Sequence, residues 1–252
     1  MSIITKEERI ILARGEKKLV SVIVPSRKRF DMLLVSLQSI HEMAADTSQL
    51  ETIIRFDDDD GQSIKRIPEL PFTKMNLRVI IGPRLRGYFD LNKFINECCG
   101  VSCGEFLFLF NDDSTIITKN WDKELEKHKG QVVVLNPDTH DDAQQYNTFP
   151  IISREIYDLV GHFSLQAHND AWVSQVGKKL NIEKHINIEI FHDRPDNSNF
   201  TGTDERLLDD ITWKERTDTF PNSAKEFFSQ KFQQLVQEDV LNIHANLLNK
   251  GE

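Results

Sequence analysis

No window of this chain holds the roughly 18 to 20 unbroken apolar residues of a membrane span. The opening "MSIITKEERI" has no basic segment leading into an apolar signal core, so a cytoplasmic protein without a membrane span is the expectation. Cysteine is scarce. Cys98, Cys99 and Cys103 are an odd number without the paired spacing of a zinc ribbon or redox motif, which leaves them as small packing residues. No "GxxxxGK" occurs and no "GxGxxG" follows the first apolar run, which removes ordinary nucleoside triphosphatases and dinucleotide enzymes. Positive charge is in deficit, with a formal net charge of −9 and no basic stretch that stands out, which argues against nucleic acid as a main partner. What remains is 252 residues with 39% hydrophobic content, enough for one large core or one domain with an appendage, and too apolar for a disordered chain.

Short β-branched and aromatic runs alternate with stretches of helical period. The predicted strands are residues 18–24, 52–56, 77–81, 105–110, 131–135 and 186–191. Between the first two, "FDMLLVSLQSIHEM" repeats Leu33, Leu37 and Ile40 at helical spacing, which makes a β-α-β unit. The runs are continuously apolar, as in strands buried on both faces, so the expected fold is a three-layer α/β/α sandwich with a mostly parallel sheet.

Ligands of such sheets sit at the carboxyl ends of the strands. There the chain places "PSRKR" (25–29), "DDDDG" (57–61), "GPRLRGY" (82–88) and "NDDS" (111–114). The run Asp57 to Asp60 does not make a calcium loop, because Gly61 falls fifth instead of sixth and Pro68 stands twelfth where a glutamate is needed. Converging guanidinium and carboxylate groups suit a phosphorylated ligand held through a divalent metal: arginine forks bind phosphate, and hard oxygens bind Mg²⁺ or Mn²⁺. Taken singly, each cluster also fits a solvated loop.

Several segments together resemble the GT-A glycosyltransferases of the family-two type, which are inverting and metal-dependent. "VSVIVPSRKR" is similar to that family's opening strand and turn, and "IIRFDDDDGQS" to its acidic second-strand end, which receives the nucleotide base. "CGEFLFLFNDDSTIITKNWDKEL" resembles the stretch that delivers the "DxD" metal motif, followed by a helix bearing tryptophan. "FPIISREIYDLVGHF" and "HNDAWVSQVGKKLNI" resemble the acceptor-side segment of bacterial and viral members, and "EIFHDR" resembles the late histidine that completes the metal site in many GT-A enzymes. The likeness spans roughly residues 19 to 195 and departs at Asn111, which stands where the motif begins with aspartate. It implies that Asp113 and His192 hold Mn²⁺ or Mg²⁺, with Asp112 turned to ribose or a water-bridged ligand. It also implies that Pro25, Ser26, Arg27, Asp57, Asp58, Arg84, Arg86, Tyr88, Asn92, Asn111 and Asp112 line the donor site.

The chemistry read from the residues is consistent with this. A nucleoside diphosphate gathers charge as it leaves the anomeric carbon, and a cation on Asp113 would answer it. Donor sugar nucleotide and a glycan or other hydroxyl acceptor are the implied partners. The acceptor hydroxyl needs a base. Asp170, at the start of a helix that Asn169 can cap, falls where the family carries its base, although a first-turn acid also simply stabilises a helix. His192 reads either as a ligand or as a hydrogen-bonded surface histidine, and Trp121 either packs against the sheet or lines the sugar pocket.

The division implied is a GT-A domain over 1–212, with a nucleotide-sugar half about 18–115 and an acceptor half about 116–212, and a helical C-terminal extension over 213–252. In that extension Phe228, Phe232, Leu235, Val236, Val240, Ile243 and Leu247 share a helical face that can dock on the domain, form a homodimer seam, or lie on a membrane surface. Segment 192–210 reads as a turn-rich loop near the site. Two competing functions stay open: a sugar nucleotidyltransferase, disfavoured by the lack of glycine in "PSRKR", and a nucleotide-sugar-binding module without turnover.

Overall fold

The computed structural model of the protein describes residues 16–139, 146–193 and 229–249. The expected division near residue 212, Phe228 and most of the 192–210 loop lie outside the described residues.

The strands are β1 (Lys18–Ser26), β2 (Leu50–Asp57), β3 (Leu77–Gly82), β4 (Gly104–Leu109), β5 (Ser114–Ile116), β6 (Val134–Asp138), β7 (Ile151–Ser153) and β8 (Glu183–His192). They form one curled sheet in the order β3-β2-β1-β4-β7-β6-β8-β5. β1 runs parallel to β2 and β4, β2 to β3, and β6 to β8. β7 is antiparallel to both of its neighbours, β4 and β6, so β6 points the same way as β4. Six strands therefore end on one edge of the sheet, and only β5 and β7 run against them.

The mostly parallel expectation holds, with instructive differences. β5 and β7 escaped the sequence reading because three residues are too few to display a period. The fifth expected strand is displaced to Val134–Asp138, where it gains partners on both sides. Its pairing with β8 slips between Asn136 and Asp138, at Pro137, which has no N–H to give the ladder. β8 is not buried on both faces: Ile186, Ile188 and Ile190 point inward and alternate with exposed residues.

Two apolar cores flank the sheet, and the period of two along each strand decides which side chain enters which. Val20, Val22 and Val24 of β1 and Phe106 and Phe108 of β4 join one core, while Ile23, Leu107 and Leu109 join the other. The first is covered by α1 (Phe30–Glu42), through the predicted Leu33, Leu37 and Ile40, and by α2 (Gly61–Arg66). Trp121, at the start of α4 (Asp122–Glu126), closes the same side. It is fully buried, donates its indole N–H to Ile40 O at 2.9 Å and meets Phe108 edge-on, so its role is packing. The second core is covered by α3 (Leu91–Val101), α5 (Arg154–Val160), α6 (Asn169–Leu180) and α7 (Gln230–Asn249). Cys98 and Cys99 pack there as expected, and Cys103 is buried at the start of β4.

The C-terminal helix docks on the domain. Phe232, Val236, Val240 and Ile243 are buried in the second core, and Phe232 meets Trp172 edge-on at 5.2 Å between centroids. Asp239 is buried too, accepting from Trp172 Nε1 at 2.9 Å, with His162 Nε2 at 3.3 Å. Four residues of the predicted stripe are thus buried within the chain. No described helix is long and apolar enough to cross a membrane.

Removing the Phe232 ring is expected to cost about 3 to 5 kcal/mol of stability in Phe232→Ala. The urea midpoint should be the same at two protein concentrations a hundredfold apart. A concentration-dependent midpoint would return the helix to an intermolecular seam.

Candidate functional site

β4 runs beside β1 as far as Phe110, whose N–H donates to Ile23 O at 2.9 Å. Residue 114 already belongs to β5, where Ser114 faces His192 on β8. The chain crosses from one part of the sheet to the other between these points, and that crossing carries Asn111, Asp112 and Asp113. Ser36 Oγ of α1 holds the far side by donating to Ser114 O at 2.6 Å, and Asp193 N donates to Asp113 O at 2.9 Å.

Both carboxylates are buried, and each oxygen has a partner. Ser26 Oγ, at the end of β1, donates to Asp112 Oδ2 at 2.7 Å. Arg29 Nη1 lies 3.1 Å from Asp112 Oδ1 and 2.7 Å from Asp113 Oδ2, bridging the pair. His192 Nε2 sits 3.0 Å from Asp113 Oδ1 and 3.4 Å from the Asn111 side-chain nitrogen, with Phe149 edge-on to the imidazole. His192 is therefore not a surface histidine; it is 7% exposed. Burial pushes the Asp112 carboxyl up to about 6, against the pull of Arg29 and with added repulsion from Asp113. Burial acts on Asp113 in the same sense, but His192 and Arg29 outweigh it and hold that group well below the usual carboxylate range.

A second cluster forms at the ends of β2 and β3. Asp57 is buried and receives Arg55, Arg84 Nη1 at 2.8 Å and Arg27 Nη1 at 3.5 Å. Arg55 also stacks over Phe94 at 3.7 Å. A Cβ on Gly82 would fall 3.0 Å from Arg55 Nη2 and Glu97 Oε2, so a larger residue there would press on this guanidinium. Arg27 pairs with Asp59 as well, and Arg84 N donates to Asp58 Oδ1 at 3.2 Å. The two clusters meet through residues 25–29. Asp60 caps α2 through Ser63 N at 3.2 Å and also accepts from Lys28 N at 2.7 Å, with Lys28 in the left-handed region at φ 56°.

The sequence-predicted residues thus separate into groups. Ser26, Asn111, Asp112, Asp113 and His192 come together, as do Arg27, Asp57, Asp58 and Arg84, with Pro25 in β1 opposite Arg55. Arg86 is 71% exposed on its side chain and pairs with Asp90, in the 3₁₀ turn Gly87–Asp90 that also carries Tyr88; Asn92 follows in the first turn of α3. Asp170 is half-buried in the first turn of α6, accepts from Ala171 N at 2.8 Å, and its charge helps raise the Tyr146 phenol, mainly a burial effect. α6 ends where β6 and β8 begin, since Val134 N donates to Ile182 O, so its first turn lies toward the same sheet edge as the acidic pair. Arg29 was missed by the sequence reading. Its only signal was a place in the basic turn after β1, which does not say which of three cations faces the acids.

Among the described residues no group of three or more His, Cys, Asp or Glu converges to enclose a metal ion. Asp113 and His192 still fit two adjacent positions on one. Two donors each about 2.1 Å from a cation at a right angle lie about 3 Å apart, and these two are 3.0 Å apart.

No protein-family model matches the chain, and no curated protein matches it in sequence. Solved structures do. S. aureus TarS 1-349 is similar with a TM-score of 0.55 at 15% identity, over 70% of this chain and 60% of that one. TarS 1-349 in complex with UDP-GlcNAc gives 0.51 at 16% identity, over 71% and 59%. The mannosyltransferase PcManGT from Pyrobaculum calidifontis, in complex with GDP-Man and Mn²⁺, gives 0.56 at 13% identity, over 76% and 64%. The chain spans about 60% of the length of these structures. The likeness establishes the fold, a mixed α/β fold shared with glycosyltransferase structures.

Asp57→Ala would remove the buried carboxylate that Arg55, Arg84 and Arg27 share and leave Arg55 with Glu97 at 3.7 Å, and a loss of about 3 kcal/mol is expected. Asp58→Ala, on an exposed side chain, should cost under about 1 kcal/mol. Denaturant midpoints of the two variants check this, and near-wild-type stability of Asp57→Ala would show that the arginines do not depend on it.

Proposed function

We propose that the protein is an inverting, metal-dependent glycosyltransferase that moves a sugar from a nucleoside diphosphate donor to an acceptor hydroxyl. The observation that carries this reading is the buried Asp112–Asp113 pair joined to His192 at the carboxyl edge of the sheet. Support comes from the fold, which in other proteins holds UDP-GlcNAc, or GDP-Man with Mn²⁺.

In this reading Asp113 and His192 hold the cation, with Asp112 beside them facing ribose or a bridging water. Bound Mn²⁺ or Mg²⁺ supplies the positive charge that offsets the departing diphosphate. A mixed carboxylate and imidazole set favours Mn²⁺ over Mg²⁺. Pro25, Ser26, Arg27, Asp57, Asp58, Arg84, Arg86, Tyr88, Asn92 and Asn111 make the donor site. Asp57 acts there by holding Arg27 and Arg84 in place for phosphate and ribose, since its own oxygens face guanidinium groups. Asp170 takes the proton from the acceptor hydroxyl as it attacks the anomeric carbon from the face opposite the leaving diphosphate. The catalytic domain comprises residues 1–212, and 213–252 is a helical extension that docks on it. The protein acts in the cytoplasm.

A thermal-shift panel of nucleoside diphosphates and their sugars, with and without Mn²⁺, tests the donor. A ligand at a hundred times its dissociation constant adds about 2.7 kcal/mol of stability. Hydrolysis of the donor in water separates a catalyst from a binding module, which should show none above buffer.

Asp113→Ala is expected to abolish Mn²⁺-dependent nucleoside diphosphate binding with the fold intact, and His192→Ala to weaken it tenfold or more, about 1.4 kcal/mol. Unchanged calorimetric affinity in Asp113→Ala removes the proposed metal site.

Asp170→Asn should leave donor binding and its metal dependence intact while transfer falls by roughly a hundred to ten-thousandfold. A lowered melting temperature with normal turnover per folded molecule would instead make Asp170 a helix-stabilising acid.

A further inference from the structure

We propose that Arg29 competes with a divalent cation for the Asp112–Asp113 pair, and that an entering diphosphate relieves the competition by drawing the guanidinium to its own oxygens. The inference rests on the donor reading above and adds a regulation to it: cation and nucleotide bind as a coupled pair, and the cation alone binds weakly.

The geometry points to Arg29 because one nitrogen serves both acids. Of the four carboxylate oxygens, Asp112 Oδ2 faces Ser26 and Asp113 Oδ1 faces His192, while the other two, Asp112 Oδ1 and Asp113 Oδ2, share Arg29 Nη1 at 3.1 and 2.7 Å. A divalent cation on Asp113 would sit beside this guanidinium, and like charges repel strongly where burial limits screening. Removing the charge should therefore strengthen cation binding, whereas removing Asp113 should abolish it.

The Arg29 backbone is held, since its carbonyl accepts from Leu33 N at 2.9 Å and opens α1, and the preceding Lys28 is tied to Asp60. The side chain is 17% exposed, so it has an edge toward solvent. Phosphate offers the planar fork two oxygens at once.

The test titrates Mn²⁺ alone into the full chain by calorimetry, then repeats the titration with saturating UDP or GDP. Arg29→Gln should bind Mn²⁺ alone at least tenfold more tightly than wild type. The factor by which UDP or GDP improves Mn²⁺ affinity should shrink at least tenfold, a coupling that must read the same from either ligand. Arg29→Lys keeps the charge and should stay within about threefold of wild type for Mn²⁺ alone. Arg29→Met, which preserves the apolar stem, takes the place of Arg29→Gln if that variant does not fold, with the same gain expected. Unchanged Mn²⁺ affinity in a folded neutral variant, or a tenfold gain in Arg29→Lys as well, overturns the competition. If wild type still binds UDP or GDP with Mn²⁺ in that event, the donor reading survives alone. If wild type binds neither nucleotide at any Mn²⁺ concentration, both fall.

Discussion

Two adjacent carboxylates, Asp112 and Asp113, are buried where the chain leaves β4, and this constraint organises the edge of the sheet around them. An isolated buried carboxylate is prohibitively costly, and even in relaxed protein each ion loses several kcal/mol of solvation. Compensation comes from three places far apart in sequence: the hydroxyl of Ser26, the guanidinium of Arg29 and the imidazole of His192. Each stands at the end of a strand or in the turn beyond it. The acids therefore require β1 beside β4, and β8 paired with β5, before they can be tolerated.

The Asp57 cluster is built differently. There three arginines share one buried carboxylate, and Asp59 and Glu97 pair with them as well, whereas in the acidic pair one arginine bridges two carboxylates. Arginine forks beside carboxylates at one sheet edge are consistent with the phosphorylated ligand proposed above. The turn over residues 25–29 joins the two clusters, and it does so with Lys28 in the left-handed region. A non-glycine residue held there costs of order 1 to 3 kcal/mol, and such strain gathers at functional sites. The surrounding bonds, Asp60 to Lys28 N and Arg29 O to Leu33 N, hold it.

α7 is tied to α6, which carries the proposed base. Its Asp239 receives the indole N–H of Trp172, two residues beyond Asp170 on α6. The C-terminal helix thus packs against the same helix that carries Asp170 in its first turn.

The sequence alone determined the elements whose signal is local. The first four strands and α1 were legible because long apolar runs and the repeat of Leu33, Leu37 and Ile40 carry the period of their structure in themselves. The acidic pair was legible for a related reason, since charged residues ending an apolar strand mark the functional edge of such a sheet. The tertiary structure alone decided what depends on partners: the three-residue strands β5 and β7, the shift of β6 past Pro137, and the face against which α7 packs. It likewise decided that, of the cations in "PSRKR", Arg27 serves Asp57 and Asp59 while Arg29 reaches across to Asp112 and Asp113. The two differ by two positions in an irregular turn, and which way each side chain points is set by the left-handed Lys28 between them and by an aspartate 32 residues away, neither of which any local pattern records.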